Sequence, residues 1–305
     1  MRHILTLADL DVDELKAILR LAEEIKADYF KGNRPKRLEG KVLGLIFEKM
    51  SLRTRVSFEA GMTHLGGGSM LLEEQHIGLG KRESIPDVSR VLSSMVDCIS
   101  FRAKKHETVQ EFAKYSSVPV INALTDKAHP CQALADMLTI KEEFGSFDDV
   151  QITWVGDSNN VAASLVEACA MLGCRIVLSS PEGYRFSFEE IKAFTAQRQP
   201  GFELLLIEDP REAVRGARAI YTDVWVSMGQ ESEEAERLAA FKPYQVNAEL
   251  MSLARKDAIF LHCLPARRGL EVTDEVIDSA QSRVVEEASN RMHAQKGLLV
   301  WLLED

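Results

Sequence analysis

Apolar residues recur at helical spacing between Leu10 and Phe30, at Leu15, Ile18, Leu19, Ala22 and Ile25. Asp11 and Asp13 stand near the start of that run and Gly32 follows its end, which predicts a capped amphipathic helix. Beyond it, short apolar runs alternate with helical stretches. Val42 to Phe47, Ser69 to Leu72, Cys98 to Phe101 and Val118 to Ile121 predict strands, with helical patterns near Val56, Val88 and Val109. Pro130 to Phe144 predicts a helix, and the polar run Gly145-Ser146-Phe147-Asp148-Asp149 ends it. A second alternating series follows, with strands expected at Ile152 to Val155, Arg175 to Leu178, Leu204 to Ile207, Ala219 to Thr222 and Ala258 to Leu261. Such alternation makes parallel sheets covered on both faces. The expected fold is therefore α/β with two domains, each a mostly parallel sheet flanked by helices. The first spans residues 1–145 and the second 146–285, with a C-terminal segment, 286–305, packing back on the first. Open sheets of this kind place ligands beyond the carboxyl ends of their strands, so the active site is expected in the interdomain cleft.

Composition narrows the function classes. The 305 residues are 46% hydrophobic and 28% charged, as in a soluble globular protein. A formal net charge of -10 argues against nucleic acid as the main partner, since a phosphate backbone needs a basic face. No apolar run approaches the ~20 residues of a membrane helix, and the start, which soon becomes acidic, is not expected to be a signal peptide. A cytoplasmic location with no membrane partner is expected. The five cysteines, Cys98, Cys131, Cys169, Cys174 and Cys263, are odd in number and widely spread, which suits reduced thiols.

Candidate chemistry clusters just after the predicted strands. Ser51-Leu52-Arg53-Thr54-Arg55 opens a helix, where unpaired N–H groups, hydroxyls and guanidinium forks make an anion site. The others are Arg102, His129-Pro130-Cys131-Gln132, Asp223 to Gly229, and His262-Cys263-Leu264-Pro265. Each has a plainer reading. His129 suits a turn cap, Asp223 and Asn159-Asn160 suit helix caps, Cys263 suits a buried thiol, and Arg102 a surface charge. Zinc at His262 and Cys263 is disfavoured because neighbouring strand residues face opposite ways. A dinucleotide site at Gly156 is disfavoured because its second and third glycines are missing. No metal or cofactor is expected.

Taken together, these clusters resemble the aspartate/ornithine carbamoyltransferase family nearly end to end. Ser51-Leu52-Arg53-Thr54-Arg55 resembles its carbamoyl phosphate loop, and His129-Pro130-Cys131-Gln132 its His-Pro-x-Gln motif. Asp223 with Ser227-Met228-Gly229, and His262-Cys263-Leu264-Pro265, resemble the ornithine-type forms. The resemblance implies transfer of a carbamoyl group from carbamoyl phosphate to the δ-amine of L-ornithine, giving L-citrulline and phosphate, a step of arginine metabolism. It implies that Ser51, Leu52, Arg53 and Thr54 hold the phosphate, that Arg102, His129 and Thr54 stabilise the oxyanion, and that Gln132 and the Leu264 carbonyl hold the carbamoyl NH2. Arg291 would close the same site, with Cys263 near the attacking nitrogen. Asp223 would take the ornithine ammonium, and Asn160, Ser227 and the Met228 backbone its carboxylate.

The reaction makes matching demands: a polydentate phosphate cradle, fixed donors for a tetrahedral oxyanion, and a neutral attacking amine, although a free alkyl amine has a pKa near ~10.4. Two positions depart from the family pattern. Leu52 replaces a threonine, which fits a position contributing its backbone N–H. Gly78 stands where relatives carry a glutamine reaching into a neighbouring subunit. The family's trimeric core implies a homo-oligomer. Rival acceptors are putrescine, which lacks the α-carboxylate, and an N-acylated ornithine, which lacks the α-ammonium. A non-catalytic binding protein would be expected to have lost Arg102, His129 or Gln132, and all three are present.

Overall fold

Every strand expected from the apolar runs forms, and the strands sort into two separate parallel sheets. The structure is a computed structural model, and it describes residues 2–73, 77–227 and 230–304. The chain divides into two compact units, one of Met1–Leu138 with Ser289–Asp305 and one of Thr139–Ala288.

In the first unit, α1 (Val12–Phe30) starts at Asp11 through a reciprocal capping box. Asp11 Oδ1 accepts the Glu14 N–H at 2.9 Å, and Glu14 Oε2 accepts the Asp11 N–H at 2.8 Å. The sheet contains β1 (Val42–Phe47), β2 (Gly68–Glu73), β3 (Cys98–Arg102) and β4 (Val120–Leu124), in the order β2-β1-β3-β4. Helices α2 (Leu52–His64), α3 (Ile85–Ser93) and α4 (His106–Tyr115) connect the strands, and α5 (Pro130–Phe144) follows β4. Ile46, Ile99, Phe101, Val109, Phe112 and Val120 lie in one buried core cluster.

The second sheet contains β5 (Gln151–Val155), β6 (Arg175–Ser179), β7 (Glu203–Leu206), β8 (Ala219–Thr222) and β9 (Ile259–His262), all paired in parallel in the order β7-β6-β5-β8-β9. Its helices are α6 (Asn160–Leu172), α7 (Phe188–Phe194), α8 (Pro210–Ala213), α9 (Glu234–Phe241), α10 (Ala248–Ser252) and α11 (Asp274–Ile277). The last helix, α12 (Val284–Leu303), begins in this unit and ends in the first. It starts two positions before the C-terminal segment expected at 286–305, and its residues Glu287 and Asn290 are polar and fully buried. Gly297 is needed on this helix: a Cβ there would lie 2.6 Å from the Ile18 carbonyl oxygen and 2.8 Å from the Ala22 nitrogen of α1.

Each strand order reverses once, between β1 and β3 in the first sheet and between β5 and β8 in the second. Loops leaving the two strands at such a point diverge and open a crevice at the carboxyl edge. Ser51 to Thr54 follow β1 and Arg102 ends β3; Asn159 follows β5 and Asp223 follows β8. Topology therefore places both polar groups at the two crevices a parallel sheet opens.

Candidate active site

Ser51 has extended backbone and caps α2, its Oγ accepting the Thr54 N–H at 3.3 Å. The first-turn N–H groups of Leu52 and Arg53 have no intrahelical acceptor and stand at the positive end of the helix dipole. Leu52 is 75% exposed, so its side chain is not what the loop uses. Arg55 pairs with Glu59 one turn on, Nε to Oε1 at 3.1 Å, which leaves Arg53 as the loop's other guanidinium.

Thr54 is the hub of this group, and it is fully buried. Its Oγ1 accepts from Arg102 Nη1 at 3.3 Å and from Arg291 Nη2 at 2.8 Å. The Ser51 hydroxyl lies 3.0 Å from the same oxygen, so the one proton and two lone pairs of the Thr54 hydroxyl are all engaged, by two guanidinium groups and Ser51. Arg102 is the last residue of β3 rather than a loop residue beyond it, and only 8% exposed. It is therefore a buried cation, not a surface charge.

His129 precedes Pro130, the first residue of α5, and its carbonyl accepts from the Gln132 and Ala133 N–H groups. The turn-cap reading thus holds for its backbone, while its side chain is buried. Burial, then the charges of Arg291, Arg102 and Arg53, hold the imidazole pKa well below its ordinary value. A ring kept neutral among three arginines acts as a hydrogen-bond donor or acceptor, not as a cation. Gln132 donates from Nε2 to Asp136 Oδ1 at 2.8 Å, which sets its amide with the oxygen as the acceptor end.

The second unit carries a carboxylate-centred group. Asp223, 7% exposed, accepts from Asn159 Nδ2 at 2.7 Å on Oδ2 and from the Val224 N–H at 2.8 Å on Oδ1. Cys263 Sγ donates to the same Oδ1 at 3.0 Å, so Cys263 is not an inert buried thiol but a half-buried partner of Asp223. Asn159 caps α6 as well, its Oδ1 accepting the Val161 and Ala162 N–H groups. The cap reading of Asn159 concealed this second contact, because the Asp223 partner lies 64 positions away. Asn160, half-buried, is the first residue of α6.

The loop after Asp223 is braced from α9. Arg237 Nη1 reaches Asp157 Oδ2 at 3.0 Å and the Trp225 carbonyl at 3.2 Å, while its Nε bonds Glu233 Oε2 at 2.9 Å. Ser227 donates its N–H to Gln230 Oε1 at 2.9 Å and accepts the Gln230 N–H at 3.0 Å. Met228, expected in the acceptor site, lies outside the described residues.

Strand alternation was expected to hold His262 and Cys263 apart, yet ligand atoms of Asp223, His262 and Cys263 lie within 4.8 Å of one another. The reason is that β9 ends at His262 and the chain leaves extended geometry by Leu264, which has φ +56°. Both His262 ring nitrogens already have partners, Glu271 Oε1 and the Leu264 N–H, so the ring has no lone pair to give a metal. Gly78 has φ +66°, and a Cβ there would lie 2.7 Å from Arg82 Cβ. A glutamine cannot take this backbone without rebuilding the turn, so the departure at Gly78 is structural as well as chemical.

Residues 2–142 match the family of the aspartate/ornithine carbamoyltransferase carbamoyl-P binding domain, and residues 148–302 that of the Asp/Orn binding domain. The chain belongs to the aspartate/ornithine carbamoyltransferase family. Within it, the ornithine carbamoyltransferase of Archaeoglobus fulgidus is 49% identical, covering 99% of this chain and 98% of that protein. That of Bacillus subtilis is 50% identical, covering 99% and 94%. The solved ornithine carbamoyltransferase of Pyrococcus furiosus superposes with a TM-score of 0.94 at 48% identity, covering 99% of this chain and 97% of that one. No helix among the described residues is long and apolar enough to cross a membrane.

Proposed function

We propose that this protein transfers the carbamoyl group of carbamoyl phosphate to the δ-amine of L-ornithine, releasing L-citrulline and phosphate. Its relatives of about half identity over the full chain carry the name of that activity. The observation that carries the acceptor assignment is the Asp223 carboxylate, oriented by Asn159 and Cys263 in the unit that matches the Asp/Orn binding domain. A carboxylate there complements an α-ammonium and repels the second carboxylate of aspartate.

In this reading the N–H groups of Leu52 and Arg53, with Ser51 and the Arg53 guanidinium, cradle the phosphate. Arg102 and neutral His129, with Thr54 assisting, donate to the carbonyl oxygen of the carbamoyl group as it gains charge. Such donors act without reorganisation at the moment of reaction, and losing one costs ~100-fold to 1,000-fold in rate. The Gln132 amide oxygen and the Leu264 carbonyl accept from the carbamoyl NH2, and Arg291 holds Thr54 in place. Asp223 takes the ornithine ammonium, Asn160, Ser227 and the Met228 backbone its carboxylate, and Cys263 flanks the attacking amine. The amine attacks the carbonyl carbon, the tetrahedral oxyanion collapses, and the C–O bond to phosphate breaks while the nitrogen loses a proton.

A homo-oligomer, with the trimer as its unit, and a cytoplasmic location belong to the same proposal. Met50, Leu52, Val56, Met70, Val91 and Met95 are large apolar side chains exposed on the first unit, which supports burial against another copy. The test is citrulline formation from carbamoyl phosphate with ornithine, putrescine or N-acetylornithine as acceptor. Turnover with ornithine alone is expected; no turnover with ornithine overturns the assignment.

A further inference from the structure

His262, the last residue of β9, is 1% exposed, and its two ring nitrogens do different things. Nδ1 accepts the Leu264 N–H at 2.9 Å, so it carries no proton. The proton of the neutral ring therefore sits on Nε2, which donates to Glu271 Oε1 at 3.1 Å. Glu271 is fully buried, and the same oxygen accepts the Arg267 N–H at 2.6 Å. From the other side, Glu287 Oε2 accepts the His262 N–H at 2.9 Å and Glu287 Oε1 accepts from Tyr221 Oη at 2.9 Å. Two buried carboxylates thus fix one residue, one through its imidazole and one through its backbone.

What they fix is the next turn of chain. Leu264 has φ +56°, a left-handed conformation that a non-glycine residue holds only when its surroundings enforce it. Its side chain packs against the core of the second unit and its N–H goes to His262. Its carbonyl has no protein donor among the described residues. Buried ionic groups are a poor device for stability, since apolar residues of similar volume do as well or better. A carboxylate and an imidazole serve here to set a tautomer and, through it, the direction of one peptide.

We infer that His262 and Glu271 are positioning residues for carbamoyl transfer: together they hold the Leu264 peptide so that its carbonyl accepts from the carbamoyl NH2. The inference rests on the function proposed above, which gives the Leu264 carbonyl that role. Misplacing such a contact by about 1 Å can cost on the order of 100-fold in rate.

His262→Asn restores an acceptor near the Nδ1 position, because an asparagine side chain readily bonds the backbone two residues on. His262→Leu removes the acceptor at similar bulk, and Glu271→Leu removes the tautomer lock. The expected kcat for citrulline formation falls about 30-fold to 100-fold in His262→Leu, by less in Glu271→Leu, and recovers to within about 5-fold of wild type in His262→Asn. The inhibition constant of inorganic phosphate, whose contacts lie in the first unit, stays unchanged in all three. Wild-type kcat in His262→Leu, or a folded His262→Asn as impaired as His262→Leu, overturns the inference. If His262→Leu does not fold, Glu271→Leu decides by the same two constants. The ¹⁵N shifts of the His262 ring need no turnover: protonation at Nε2 is expected, and an Nδ1-protonated ring overturns the inference. A wild-type protein that makes no citrulline, with the Nε2 proton in place, counts against the proposed function instead.

Discussion

Arg291 Nη2 donates to Thr54 Oγ1 at 2.8 Å, joining residues 237 positions apart through a single hydroxyl. Arg102 reaches the same oxygen from the end of β3. Thr54→Val keeps the shape of the side chain and deletes the oxygen, leaving two guanidinium groups without that acceptor. In the citrulline assay kcat is expected to fall about 100-fold or more, with a smaller rise in KM for carbamoyl phosphate. A loss below about 5-fold would show that the hydroxyl is not the hub its hydrogen bonds make it.

The three arginines around His129 lead to a pH expectation. An unfolded histidine takes a proton as the pH falls through 6.5, whereas the folded His129 does not until well below that value. The neutral ring's contribution to stability is therefore fully present above about pH 6.5 and is lost as the pH falls below it. Activity should show no break from His129 near 6.5. The rate at low ornithine should instead rise steadily with pH as the amine loses its proton. A break near 6.5 in the wild-type profile that disappears in His129→Asn would overturn the neutral-ring assignment.

Asn159 both caps α6 and donates to Asp223, and one substitution separates the roles. Asn159→Ser retains a good cap and loses the long amide donor. Thermal stability should change by no more than a few degrees, while KM for ornithine rises about 10-fold, the worth of a charge-assisted hydrogen bond. Asp223→Ala should raise it further and leave carbamoyl phosphate unaffected, with Arg53→Ala doing the reverse. Steady-state kinetics with each substrate varied in turn would show equal effects if the two-unit division of labour were wrong.

Lys296 on α12 is 1% exposed, with its ammonium 4.9 Å from the centre of the Tyr29 ring and no carboxylate paired to it among the described residues. Burial, then the charge of Arg34, lowers its pKa to about 8 from 10.5. Between those values the unfolded chain holds a proton that the folded chain lacks. Stability is thus lost as the pH falls from 10.5 toward 8 and stays lost below. Lys296→Met should raise the melting temperature at pH 7 by several degrees, and the gain should shrink by pH 10. An unchanged or lower melting temperature at pH 7 would mean that the ring contact outweighs the desolvation.

Periodicity made the strands and a helix legible: Val42–Phe47, Ala219–Thr222 and the helix Pro130–Phe144 form with the bounds their patterns suggest. Motif residues were legible too, because each stands where a parallel strand ends. What stayed hidden were pairings across the fold. Asn159 reads as a cap because its local bonds are a cap's, and His262 reads as one more strand residue until the left-handed Leu264 turns the chain toward it. The polar face of α12, with Asn290, His293 and Lys296 all buried, lies in a segment whose hydropathy points those residues toward water. Hydropathy records what a residue type prefers on average; here Asn290 accepts from Lys26 Nζ at 2.7 Å, while His293 and Lys296 lie against the Tyr29 ring.

Of the five cysteines, Cys98, Cys131, Cys169 and Cys174 are buried, and burial pushes the thiol pKa up in Cys98 and, to about 12, in Cys131. Cys263 alone is half-buried, and its hydrogen bond ends on the carboxylate proposed to hold the acceptor. A thiol reagent applied to the native protein therefore has one principal target, beside Asp223. The chain contains its own occupancy gauge: the rate at which that single sulfur is labelled reads how often the acceptor site is filled, with no carbamoyl transfer running.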